Sequence, residues 1–142
     1  MPNSRACVDS NVVIKLAVDE DASDAVRMLW ERWERDDTQI VAPTLVWYEI
    51  ASSLRKKVVR EALTEDEAGD ALDKLLRLQV SMLSIPGHQR RAWEMANELD
   101  RPQAYDSHYL AVAEDADCPF WTADRRLYNA VKDKFQRIHL IT

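Results

Sequence analysis

Ala6-Cys7-Val8-Asp9-Ser10-Asn11-Val12-Val13-Ile14-Lys15-Leu16 joins a short apolar run to a helical pattern through one carboxylate. Residues 5–9 read as a strand buried on both faces, and residues 11–18 as the short helix that follows it. An acid at the carboxyl end of a strand, where the next helix begins, is how open α/β sheets present functional groups along one edge. Three later segments repeat the placement: Glu49 in Thr44-Leu45-Val46-Trp47-Tyr48-Glu49-Ile50, Asp106 in Ala104-Tyr105-Asp106-Ser107-His108, and Asp124 in Thr122-Ala123-Asp124-Arg125-Arg126. Further strands are expected at 39–42, 79–85, 118–122 and 137–141, with helices at 44–59, 88–99, 105–116 and 124–134. Another helix carries Ala25, Val26, Met28, Leu29, Trp30 and Trp33 as its apolar set, and Thr64 with Glu67 forms a capping box before one more. This alternation predicts an α/β fold, a central and mostly parallel sheet of about five short strands with helices on both faces.

The chain has 142 residues, enough for a single domain over 1–142 with one core that needs no disulfide. Cys7 and Cys118 lie in apolar runs without paired spacing and read as reduced, buried thiols. The N-terminal residues lack a signal-peptide pattern and no apolar run reaches membrane-spanning length, so a cytoplasmic protein with no membrane partner is expected. A formal charge of −6 argues against indiscriminate adhesion to nucleic acid, although a local basic patch can still steer it. The densest such patch, Arg55-Lys56-Lys57-Val58-Val59-Arg60, reads equally well as phosphate contact or as a solvated helix end. Arg125 and Arg126 offer a second cationic pair. The acidic run from Asp19 to Asp24 reads as a solvated helix entry. Only two glycines are present, Gly69 and Gly87, which excludes a Gly-rich phosphate loop. His88, His108 and His139 show no catalytic partner in the sequence and read as structural.

Each acid taken singly has a plain alternative. Asp106 and Asp124 stand where N-caps are common, and Glu49 suits an exposed helix position. As a set they converge on one edge of a parallel sheet. Four neighbouring carboxylates repel one another unless a cation neutralises them, and ligand sets made only of oxygen favour Mg²⁺ or Mn²⁺. A carboxylate-held Mg²⁺ suits phosphodiester hydrolysis without a protein nucleophile.

The same residues resemble the PIN-domain ribonucleases, and most closely the VapC-type toxins of prokaryotic type II toxin–antitoxin pairs. Val8-Asp9-Ser10-Asn11-Val12, Ala42-Pro43-Thr44-Leu45 through Glu49, Tyr105-Asp106-Ser107-His108-Tyr109-Leu110-Ala111, and Thr122-Ala123-Asp124-Arg125-Arg126-Leu127 resemble that family's four acidic motifs in order. The resemblance implies a PIN-like three-layer α/β/α sandwich and an Mg²⁺-dependent endoribonuclease that acts as the toxin of a VapBC-type system. It implies Asp9, Glu49, Asp106 and Asp124 as catalytic metal ligands, with Asn11 and Thr122 as polar supports. It also implies an RNA substrate, a VapB-like antitoxin and a homodimer. The candidate RNA contacts are Arg55, Lys56, Lys57 and Arg125. His108 and Asn11 depart from the commonest family residues, but neither departure removes an acid.

Two other readings stay open at this point. One is a PIN-like module that binds RNA or protein without cutting. The other is a phosphatase with Asp9 as covalent nucleophile, disfavoured because the usual second acid two residues on is replaced by Asn11.

Overall fold

The computed structural model describes residues 4–142. Five strands, β1 (Ser4–Val8), β2 (Thr38–Ala42), β3 (Ser81–Met82), β4 (Phe120–Thr122) and β5 (Ile138–Leu140), form one sheet in the order β3-β2-β1-β4-β5. Every neighbouring pair is parallel. The helices are α1 (Ser10–Ile14), α2 (Ser23–Arg35), α3 (Leu45–Val59), α4 (Glu65–Leu76), α5 (His88–Glu98), α6 (Tyr105–Asp115) and α7 (Arg125–Val131).

Strand alternation sets the layers. Successive residues of a strand face opposite sides of the sheet. Phe120 of β4 stacks on Tyr109 of α6 at 5.8 Å between centroids, whereas Trp121 packs edge-on against Trp33 of α2 at 5.9 Å. Helices α6 and α2 therefore cover opposite faces, and the sandwich has three layers. Central β1 reads Ala6-Cys7-Val8, all buried, because no solvent reaches either face there.

At a spacing of four along α3, Val46, Ile50 and Leu54 are buried and Val58 packs partly against the core. The Thr64–Glu67 capping box is present with both reciprocal hydrogen bonds. Cys7 and Cys118 are free and buried. No described helix is long and apolar enough to cross a membrane.

Several local expectations are corrected. The third strand pairs only over Ser81–Met82, because it is an edge strand bonded to β2 alone and the chain turns away before Pro86. The first helix is Ser10–Ile14 and ends well before Val18. Met28 is 72% exposed, since it projects from the helix face opposite to buried Val26, Trp30 and Trp33.

The acidic run is not uniformly solvated either. Glu20 accepts hydrogen bonds from Lys15 at 2.6 Å and Lys57 at 2.7 Å, tying the end of α1 to α3. Burial by itself would raise the Glu20 carboxyl, but the two ammonium groups outweigh it and hold the group below its usual range. Its contribution is therefore complete above the ordinary carboxylate pKa and fades as pH falls through the lowered folded value. Glu20→Gln should cost about 1–2 kcal/mol near pH 7, between the values for exposed and buried pairs. In denaturant melts that gap should shrink on acidification below about pH 4.

Candidate active site

Strand β1 lies beside β2 on one side and β4 on the other, so the chain reverses its direction of growth across the sheet there. In open parallel sheets such a switch point leaves a crevice outside the carboxyl ends of the strands. Asp9 follows β1 directly and Asp124 follows β4 after one intervening residue, so the topology puts both beside that crevice.

Asp9 is 5% exposed and begins α1 by backbone alone: Val12 N–H donates to its carbonyl at 3.0 Å, and its side chain makes no cap bond. The carboxylate faces β4 instead. The hydroxyl of Thr122, fully buried, donates to Asp9 Oδ2 at 2.8 Å, and Asn11 Nδ2 donates to the same oxygen at 3.2 Å. Thr122 Oγ1 also accepts from Asp124 N–H at 3.0 Å, while Asn11 Oδ1 accepts from Ala123 N–H at 2.9 Å. Asn11 and Thr122 thus lock the start of α1 to the β4–α7 turn.

Glu49 comes from the second turn of α3. Its Oε1 accepts from Ser10 Oγ at 3.3 Å and from the Tyr109 hydroxyl of α6. Asp106, in the first turn of α6, lies 3.4 Å through Oδ2 from a guanidinium nitrogen of Arg101. Asp124 caps α7, with Oδ1 accepting from the backbone of Arg126 at 3.0 Å and Leu127 at 3.2 Å.

A pattern runs through these contacts. Oε1 of Glu49, Oδ2 of Asp106 and Oδ1 of Asp124 are engaged by the protein, while the other oxygen of each has no hydrogen bond among the described residues. On Asp9, Oδ1 has only a 3.5 Å contact from Ser10. Each acid is held by one oxygen and keeps the other available.

The acids also act on one another. Burial pushes the Asp9 carboxyl up to about 7, opposed by the Thr122 hydrogen bond and reinforced by the charges of Glu49, Asp106 and Asp124. Burial also raises Asp106, with Arg101 opposing and Asp124 adding to the rise. The Tyr109 phenol is pushed far up by burial and by the charges of Asp9 and Glu49, so it stays protonated and donates to Glu49. Among the described residues, however, no three His, Cys, Asp or Glu side chains form a group that could hold a metal ion together. The four acids therefore stand as separate carboxylates rather than as one preassembled ligand group among the described residues. Mg²⁺ tolerates that arrangement because it keeps several waters, and the free carboxylate oxygens are the hard donors it takes.

Ser10, Tyr109 and Arg101 were not singled out from the sequence. Tyr109 carried a signal, since it lies three residues from Asp106 and so shares its helix face. Arg101 carried none. Of the four basic candidates, Arg55, Lys56 and Arg125 are exposed, whereas Lys57 is engaged by Glu20. Of the histidines, His88 Nε2 and His108 Nδ1 lie 2.7 Å apart, a contact that bridges α5 and α6.

The structure is a parallel α/β sandwich with carboxylates beside its switch point, and the comparisons narrow its class. The family model of the PIN domain matches residues 6–133, and the chain belongs to that family. It is 40% identical over 85 residues to VapC ribonuclease Mb0985 of Mycobacterium bovis and, to the same extent, to ribonuclease VapC9 of Mycobacterium tuberculosis. Those matches cover 60% of this chain and 65% of each relative, a little under two thirds of the relatives' length. Two solved structures share the fold. PAE2754 from Pyrobaculum aerophilum has a TM-score of 0.64 and 23% identity, covering 89% of this chain and 79% of its own. VapBC2 from Rickettsia felis, bound to a DNA fragment from its promoter, has a TM-score of 0.68 and 14% identity over 96% of each chain.

The raised carboxyl of Asp9 fixes the sign of a stability test. The folded state keeps the Asp9 proton to about pH 7, while the unfolded chain releases it near 3.8, the ordinary value for an aspartate. Metal-free protein therefore loses stability as pH rises between those values. Asp9→Asn removes this penalty, so in EDTA the variant should gain about 1–3 kcal/mol over wild type at pH 8, with the gain vanishing near pH 4. Thermal melts across that range check it.

Proposed function

We propose that the protein is an endoribonuclease that hydrolyses RNA phosphodiester bonds with Mg²⁺ (or Mn²⁺), and that it is the toxin of a toxin–antitoxin pair. The observation that carries this reading is the buried Asp9 at the switch point, coupled to three further carboxylates that each keep a free oxygen. Membership of the PIN family and the ribonuclease names of the relatives support the activity. The VapC relatives and the VapBC2 assembly that shares the fold support a VapB-like antitoxin as partner. A homodimer in the cytoplasm completes the proposal.

Bound Mg²⁺ supplies charge for the phosphate and lowers the pKa of a water. Thr122 and Asn11 hold Oδ2 of Asp9 and leave Oδ1 as a ligand. Ser10 and Tyr109 hold Glu49 in the same way. Asp106 and Asp124 provide the remaining oxygens, as ligands or as acceptors that orient the attacking water. Arg101 beside Asp106 offers its guanidinium to a phosphate oxygen; its Nε is buried and has no partner among the described residues. Exposed Arg55, Lys56 and Arg125 draw the RNA backbone toward the site, with Lys57 contributing less because Glu20 already engages it.

The second reading is a PIN-fold module that binds RNA or protein without cutting, its acids serving only the structure. One experiment separates the two: antitoxin-free protein is incubated with a total-RNA pool in Mg²⁺, Mn²⁺ or EDTA, and fragment ends are sequenced. The nuclease reading expects discrete cuts that require metal and fall about 100-fold or more in Asp9→Asn. Arg101→Ala should lower cleavage about 10-fold or more with the metal requirement unchanged. Metal-loaded, folded protein that leaves the pool intact would establish the second reading. Replacing Arg55 and Lys56 together by Ala should flatten the salt dependence of RNA binding by about 1.4 in log–log slope, the value for two lost phosphate contacts on a single strand.

A further inference from the structure

A separate cavity of about 200 Å³ lies beside the acids, and the cleavage chemistry does not use it. Tyr48, Tyr105, His88 and His108 line it, with Pro43 and Leu45 as its apolar lining. Its space is of the order that one heterocyclic ring system needs.

Its relation to the acids follows from helix geometry. On α3, Leu45 and Tyr48 line the cavity while the next residue, Glu49, belongs to the acid site. On α6, Tyr105 and His108 line the cavity while Asp106 and Tyr109, each one residue further on, face the acids. One residue is about 100° around a helix, so both helices present one stripe to the acids and the adjacent stripe to the cavity. The Tyr109–Glu49 hydrogen bond joins the same two helices, so cavity and acid cluster share a wall.

The rim is unusual for a protein surface. Tyr48 is 72% exposed and Tyr105 58%, two large rings that the core does not claim. Aromatic rings beside a nucleic-acid path stack on bases of any identity, whereas hydrogen-bonding groups add preference among them. The cavity has such groups in Gln89 and the linked His88–His108 pair, and His88 Nδ1 is buried without a partner.

We infer that this cavity is a nucleobase subsite: one unpaired base next to the phosphate under attack stacks on Tyr48 and Tyr105, and its edge is read by His88, His108 and Gln89. The inference rests on the endoribonuclease reading. It adds that base preference resides at one position beside the cut.

Binding of a fluorescein-labelled pool of random-sequence single-stranded RNA, measured by anisotropy in Ca²⁺, tests it alongside cleavage in Mg²⁺. Tyr48→Ala and Tyr105→Ala should each weaken binding about 10-fold and flatten the base preference at one position beside the cuts. Tyr→Phe at either position should restore both, because stacking needs no hydroxyl. Both rings are exposed, so circular dichroism should show the Ala variants folded. Unchanged affinity and unchanged preference in the Ala variants would overturn the subsite while leaving the nuclease reading standing. Weaker binding in those variants from a protein that never cuts would overturn the nuclease reading and keep the subsite. Dissociation of a dimer in sedimentation, with RNA affinity per protomer unchanged, would make this face a contact between copies and would also overturn the inference.

Discussion

The burial of the Asp9 carboxyl at the end of the central strand is the constraint around which the rest is arranged. A charge in that position is costly, and three more acids beside it raise the cost further. The fold answers with a fully buried threonine from the neighbouring strand and an asparagine from the first turn of α1, both donating to one oxygen. Those two side chains also fasten the backbone of Ala123 and Asp124, so the same network positions the next acid. The site stores an electrostatic penalty that the protein alone does not remove. A bound cation would remove it, which is why stability in the absence of metal and function in its presence are expected to pull in opposite directions.

Helices α3 and α6 carry the other half of the site. Their contact is polar where Tyr109 meets Glu49 and open where Tyr48 and Tyr105 stand in solvent. A rigid pair of helices is a good support for both functions, because each stripe inherits its position from the same packed backbone. At the far end of α3, Glu20 holds Lys57 and Lys15, drawing a cation of the basic stretch into the architecture and leaving Arg55 and Lys56 to solvent.

Much of this was legible in the residues. Apolar runs marked β1, β2 and β4, with Asp9 and Asp124 just beyond the first and the last, and a spacing of four marked the buried face of α3, because strand and helix periods are local properties. The capping box was readable for the same reason. The misreadings share a different character. The third strand was overextended because edge pairing depends on a single neighbour, and Met28 was placed in the core because its neighbours in sequence are apolar although its helix face is not. Lys57 and Glu20 are 37 residues apart, and His88 and His108 are 20 apart, so neither pair leaves a trace in local pattern.

The residues alone, through local periodicity and the placement of acids near the starts of helices, determined the fold class, the order of its elements and the four candidate carboxylates. Only the tertiary structure decided which oxygen of each acid is engaged and which is free. It decided that Arg101 stands beside Asp106 and that no three acids meet as a ready metal group among the described residues. It also placed a ring-sized cavity against the adjacent stripe of the same two helices. The reason is distance along the chain: Thr122 reaches Asp9 across 113 residues and Tyr109 reaches Glu49 across 60. Such contacts are fixed by sheet order and helix packing, which no local pattern encodes.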